Sequence, residues 1–153
     1  MSTVSRRELV HLLAAVPALA QSGAMYAPRF FSKDEYAWLD QLTEALLPGE
    51  PDSPGAREAN VCYFIDTVIH WGDAALKRQW RVGLAAMQSL ALGPLETVAK
   101  LAGNETNPTT DADKFFVTFK RMTIDAYCQS EIAQKKVFGY KGSHAVKDFP
   151  GCG

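Results

Sequence analysis

The sequence predicts an all-α protein, a small bundle of four to six helices with an irregular C-terminal tail. Three observations predict it. Apolar side chains recur at intervals of three and four along successive stretches. Cap-forming Ser, Asp and Thr residues stand just ahead of several of those stretches. No run alternates β-branched and polar residues with the period of two that a half-buried strand needs. With 153 residues, 47% of them hydrophobic, the chain can bury one substantial core but leaves no room for a second large domain.

The first element follows Ser32-Lys33-Asp34-Glu35, a capping box in which Ser32 and Glu35 exchange side-chain and backbone hydrogen bonds. Tyr36, Leu39, Leu42, Thr43, Leu46 and Leu47 then keep helical spacing until Pro48-Gly49 stops the helix. Pro48 to Gly55, dense in Pro and Gly, reads as a rigid turn. A second helix is expected from about Ala56 to His70, burying Val61, Phe64, Ile65, Val68 and Ile69 and ending near Gly72. Asp73 caps a third, with Leu76, Trp80, Leu84, Met87 and Leu90 on one stripe up to Gly93-Pro94. A short helical piece spans Pro94 to Leu101, and Gly103 to Pro108 is a loop. A further helix starts near Thr110 or Asp111, buries Phe115, Phe116, Phe119, Met122 and Tyr127, and reaches about Cys128. Ser130 caps the last, from Glu131 to Phe138. The helical domain is therefore expected over residues 32–138, with a Gly-rich, partly aromatic tail over 139–153 that has too little apolar surface for a core and suits docking on something larger.

Ahead of the domain, Arg6-Arg7 precede the apolar run Leu12 to Ala20, and Ala18-Leu19-Ala20 supplies a small-x-small pattern before Gln21. That is the layout of a bacterial export signal of the twin-arginine type, expected over residues 1–20, with 21–31 a linker. The run is shorter than the roughly 18 residues that span a bilayer. The same pattern also suits an amphipathic first helix or an uncleaved membrane anchor. Export predicts a location in the periplasm or at the periplasmic face of the inner membrane, and the twin-arginine route carries folded cargo, often because a cofactor is inserted beforehand.

Chemistry-bearing motifs are sparse. Sixteen Lys and Arg against seventeen Asp and Glu give a formal net charge of -1, so no bulk positive field attracts nucleic acid. There is no Gly-rich phosphate loop, no paired Cys or His at zinc spacing and no C-x-x-C-H haem motif. No catalytic, cofactor-binding or metal-ligating residue is assigned, and no cofactor is expected in this chain. Asp66 and His70 share a helix face, the spacing of an acid/base or ligand pair and, more ordinarily, of a local contact at a helix end. With them, His144 is the remaining candidate for an independent periplasmic enzyme. Trp71 and Trp80 read as core or interface aromatics. Of the three cysteines, Cys62 and Cys128 lie in apolar helical stretches and behave as small hydrophobes. Cys152, in the tail, is the candidate for an intermolecular bridge.

Taken in order, these stretches resemble the gluconate 2-dehydrogenase subunit 3 family. The resemblance is carried by Ser5-Arg6-Arg7-Glu8-Leu9, by Leu46-Leu47-Pro48 through Asp52-Ser53-Pro54-Gly55-Ala56-Arg57-Glu58-Ala59-Asn60-Val61 into Phe64-Ile65-Asp66, and by Trp80-Arg81-Val82-Gly83-Leu84. It continues through Phe116 to Lys120, Met122-Thr123, Tyr127, Ser130-Glu131-Ile132, Gly139-Tyr140 and Pro150-Gly151-Cys152. Asn60 and Ala126 depart from it, standing where the family's small glycine is expected. The resemblance implies an accessory subunit without a cofactor of its own. Its partner would be a glucose-methanol-choline type flavoprotein carrying FAD, often with a c-type cytochrome, and the small chain's signal would take the folded flavoprotein through the twin-arginine translocase. In that picture Trp71, Tyr140 and Phe149 are expected as interface anchors and Cys152 as a covalent staple.

Overall fold

Ser32 fixes where the first helix begins. In the computed structural model, which describes residues 26–142, its hydroxyl accepts from the Glu35 amide while Glu35 accepts from the Ser32 amide at 2.7 Å. From there α1 runs Lys33–Leu46, α2 Val61–Trp71, α3 Ala74–Gln88, α4 Pro94–Ala102, α5 Asp111–Gln129 and α6 Glu131–Lys136. Among the described residues the fold is thus all-α with six helices; the pairing of Glu50 with Ser53 is an isolated bridge.

Local chemistry sets most of the helix starts. Asp73 accepts from the Leu76 amide, Thr110 and Asp113 form a reciprocal box, Ser130 accepts from the Ala133 amide, and Pro94 sits at the first turn of α4, where its missing N–H costs nothing. The 19-residue α5 is the spine, packed against α2, α3, α4 and α6, while α1 lies across α2 and α4. Between them Trp80, Phe116, Phe119, Leu39, Leu42, Ile65, Ile69, Leu84, Met87 and Leu101 are fully buried, each of these side chains contributing about 2 kcal/mol by leaving water.

Three element ends differ from the sequence expectation, the shortest difference being at α6, which stops at Lys136 and not at Phe138. The second helix starts at Val61, not near Ala56, because Ala56 to Asn60 are drawn into a turn. The Ala56 amide donates to Leu47, the Val61 amide donates back to Ala56, and Asn60 takes a left-handed φ of 55° that breaks helical continuity. The third helix ends at Gln88, before Leu90, with Ala91 also left-handed at φ 53°.

The segment 48–60 is held from both flanks. One Glu44 oxygen accepts from the Gly49 amide at 3.1 Å and the other from the Arg57 amide at 2.8 Å. Arg57 pairs with Asp40, and the Tyr127 hydroxyl on α5 donates to the Pro54 carbonyl at 2.7 Å. A Cβ at Gly55 would stand 2.5 Å from the Gly49 nitrogen, so glycine is what lets the two limbs of this turn meet.

Asn60 explains itself in these terms. A left-handed backbone strains most side chains by about 1–2 kcal/mol, which glycine escapes and asparagine partly tolerates. Asn60→Ala is expected to lower unfolding stability by about 1 kcal/mol and Asn60→Gly to leave it within about 0.5 kcal/mol of the parent or slightly above, measured by urea denaturation. Equal stability of all three would show that the turn relaxes without cost.

Candidate functional site

The most concentrated polar chemistry lies where α2 meets the chain entering α1. Asp66 follows Ile65 and precedes Ile69 by three, so the helix turns its carboxylate inward, and its residue is fully buried. Both oxygens are saturated. One accepts from the Tyr26 hydroxyl at 2.6 Å and the Arg29 amide at 2.8 Å, the other from the Phe30 and Phe31 amides at 3.0 Å each. Three successive backbone amides and a phenol thus converge on one carboxylate from a segment without secondary structure of its own.

A second group closes the same corner. Arg81 of α3 donates to the Phe30 carbonyl, pairs with Glu35 at 2.7 Å, and lays its guanidinium 4.2 Å from the Phe30 ring centroid. Tyr26 packs edge-on against Tyr63 at 4.8 Å and tilted against Tyr36 at 5.4 Å. Phe31 stacks towards Trp80, which meets Phe115 at 5.1 Å. Trp80 is fully buried, and its indole N–H finds no acceptor among the described residues.

Burial works to push the Asp66 carboxyl up; the Arg29 amide, the Tyr26 hydroxyl and the Phe31 and Phe30 amides outweigh it and hold it below the usual carboxylate range. Burial, and then the hydrogen bond to Asp66, push the Tyr26 phenol up to about 12. Burial raises the Cys62 thiol, which donates to the Tyr36 carbonyl, so it stays protonated and packs as an apolar group. At the other end of the bundle the Asn104 side chain, then the Thr110 amide and hydroxyl, hold Asp113 low.

These depressed carboxyls fix the sign of the acid response. A group with a folded pKa below its unfolded one contributes stability in full above the unfolded value, and that stability drains as pH falls through the folded value. For Asp66, Asp113 and Glu35 the expected result is a thermal midpoint nearly flat from about pH 7 to 5 that falls steadily below about pH 4. A midpoint that rises on acidification would contradict the hydrogen-bond pattern.

The expected Asp66–His70 pair does not form. All four acceptor positions of Asp66 are taken by residues 26–31, and His70 instead meets Trp71 edge-on at 4.9 Å. Trp71, the last residue of α2, is 72% exposed, and Tyr140, after α6, is 54% exposed. Both leave large aromatic surface in solvent, Trp71 apart from its contact with His70. Phe138 and Val137 are exposed close to Tyr140 in sequence. Arg6, Arg7, His144, Phe149 and Cys152 lie outside the described residues. Among the described residues no group of His, Cys, Asp and Glu is arranged to hold a metal, and no helix is long and apolar enough to cross a membrane.

The sequence reading missed the clamp on residues 26–31. The available signal was an aspartate on the apolar side of a helix, where an ionised group survives only with several donors.

Residues 33–100, from the start of α1 to near the end of α4, match the family model described as gluconate 2-dehydrogenase subunit 3. No curated protein and no solved structure matches the chain. The matched stretch holds Asp40, Glu44, Gly55, Arg57, Asp66, Trp71, Trp80 and Arg81, so it contains the helical side of the clamp and the whole Glu44-bound turn. Over residues 33–100 the chain is thus similar to the gluconate 2-dehydrogenase subunit 3 family, a family of dehydrogenase subunits.

Proposed function

We propose that the chain is the non-catalytic small subunit of an FAD-dependent, glucose-methanol-choline type dehydrogenase of a sugar or sugar acid. In this reading it stabilises the flavoprotein subunit and carries it through the twin-arginine translocase to the periplasm. The observation that carries the proposal is the family match across α1 to α4. Large aromatic side chains left in solvent at Trp71 and Tyr140 support it, because such groups anchor protein interfaces. The flavin belongs to the partner, as does a haem c of any further subunit. Substrate selectivity then resides in the flavoprotein's pocket, and Phe149 and Cys152 would add a further anchor and a covalent staple from the tail.

Co-expression tests it. A glucose-methanol-choline type flavoprotein from the same source is produced with and without the small chain, a tag on the small chain is used for isolation, and the visible spectrum, a non-reducing gel and periplasmic dehydrogenase activity are recorded. The expected result is a yellow complex that loses export and stability when the small chain is omitted. A colourless small chain purifying alone, with the flavoprotein exported unaided, would overturn the proposal.

A further inference from the structure

Residues 26–31 form a strap with no hydrogen-bonded structure of its own, and every group that holds it belongs to a different helix. Asp66 comes from α2 and Arg81 from α3, while Glu35 of α1 pairs with Arg81 and accepts from the Ser32 amide just past the strap. Glu35 and Arg81 are 46 positions apart, so the complete set of contacts on and around the strap forms only once the three helices have docked. The donors are equally distributed. Asp66 takes the Arg29, Phe30 and Phe31 amides, while Arg81 takes the carbonyl of Phe30 and its ring face. Both partners thus recognise the backbone of the same short stretch from opposite sides.

We propose that this strap is a fold-dependent latch: it holds the chain ahead of Tyr26 to the domain at full strength only when α1, α2 and α3 are assembled, α2 through Asp66, α3 through Arg81, and α1 through Glu35, which fixes Arg81. Attachment then reports completed folding to whatever lies upstream. The consequence rests on the export reading above, in which the upstream stretch contains Arg6 and Arg7. An export signal joined to a latched strap leaves a finished surface at a fixed point beside Tyr63, whereas the same signal on a half-folded chain trails an unbound segment. A translocase that carries folded cargo would then discriminate between the two through the state of residues 26–31.

Trypsin reads the latch directly. Arg29 is exposed, so cleavage of the Arg29–Phe30 bond is limited by release of the backbone on either side, and the rate follows the open population. In the full-length chain, Asp66→Asn is expected to speed that cut by about 10- to 100-fold, the factor implied by losing charge-assisted bonds. Cleavage at Lys77 and Arg78 within α3 requires that helix to open as well, so it should remain slower than the Arg29 cut in each variant. Arg81→Met, which keeps an apolar stem over Phe30, gives a second variant with an intact α2 and an expected smaller increase. In cells, both variants should remain helical and accumulate in the cytoplasm, with export falling several-fold.

Unchanged cleavage after Arg29 in both variants would overturn the latch. Faster cleavage with export at the parent level would overturn the coupling of strap to export. Full export of Arg6→Lys/Arg7→Lys would overturn the export reading and the coupling together, while the trypsin rates would still decide whether the strap is held as described.

Discussion

Asp66→Ala is expected to cost about 4 kcal/mol of unfolding stability, a large part of the roughly 5–15 kcal/mol a domain of this size possesses. The substitution removes the acceptor for four donors at once. The Tyr26 hydroxyl and the Arg29 amide lie where water can replace the carboxylate, but Phe31 is buried and its amide would be left without a partner. Asp66→Asn separates charge from shape. An asparagine keeps one acceptor oxygen and turns an NH2 group towards donors at the other, so either the Tyr26–Arg29 pair or the Phe30–Phe31 pair loses its acceptor, at an expected cost of about 2–3 kcal/mol. Tyr26→Phe removes a single bond and should cost about 1 kcal/mol. Urea denaturation of the three variants checks the series, which should rank Ala above Asn above Phe in destabilisation. Asp66→Asn within about 0.5 kcal/mol of the parent would show that the carboxylate's charge is not what holds the strap.

The same residue shows where a sequence stops being legible. Ser32, Asp73, Thr110 and Ser130 reveal helix starts because a cap and the amides it serves lie within three residues. The Asp66 donors lie 35 to 40 positions upstream, so the nearest visible partner in the sequence was His70, four residues along the same helix, which the fold leaves beside Trp71 instead. The late start of α2 has the same origin. Apolar spacing extends smoothly back to Ala56, but Glu44 and the Leu47 carbonyl capture residues 56 and 57 for the turn, and Asn60 absorbs the change of direction in a left-handed backbone. The family resemblance pointed to that position by expecting glycine there, without showing why. At Ala126 the reason is packing: the residue is helical and buried, where a side chain larger than a methyl group has little room. Exposure of Trp71 is likewise a tertiary fact, since periodicity places it just off the apolar stripe and says nothing of what lies beyond the end of α2.

Gly83 carries the second large effect. Position 83 falls on the buried side of α3, three residues after Trp80, where α3 crosses α5. A Cβ there would stand 2.1 Å from two ring carbons of Phe115, far closer than carbon atoms can approach. Phe115 cannot simply swing aside, because it is 5% exposed and its ring sits edge-on to the buried Trp80. Glycine inside a helix costs about 1 kcal/mol relative to alanine, so by propensity alone Gly83→Ala should stabilise the protein. Overpacking reverses that sign: separating α3 from α5 or forcing Phe115 off its rotamer costs about 1–3 kcal/mol or more, and the strain reaches the Trp80 contact as well. The expected net effect of Gly83→Ala is a loss of about 2 kcal/mol, and of Gly83→Val about 4 kcal/mol, seen as a fall in thermal midpoint of about 3 °C per kcal/mol. A double-mutant cycle identifies the cause. Phe115→Leu alone should cost about 1–2 kcal/mol for lost contacts with Trp80, but in its presence Gly83→Ala should become nearly neutral, because the methyl group then occupies space the ring has vacated. Additive losses in the double variant would mean that the ring of Phe115 is not what excludes a side chain at position 83, and that the crossing of α3 and α5 is set elsewhere along the two helices.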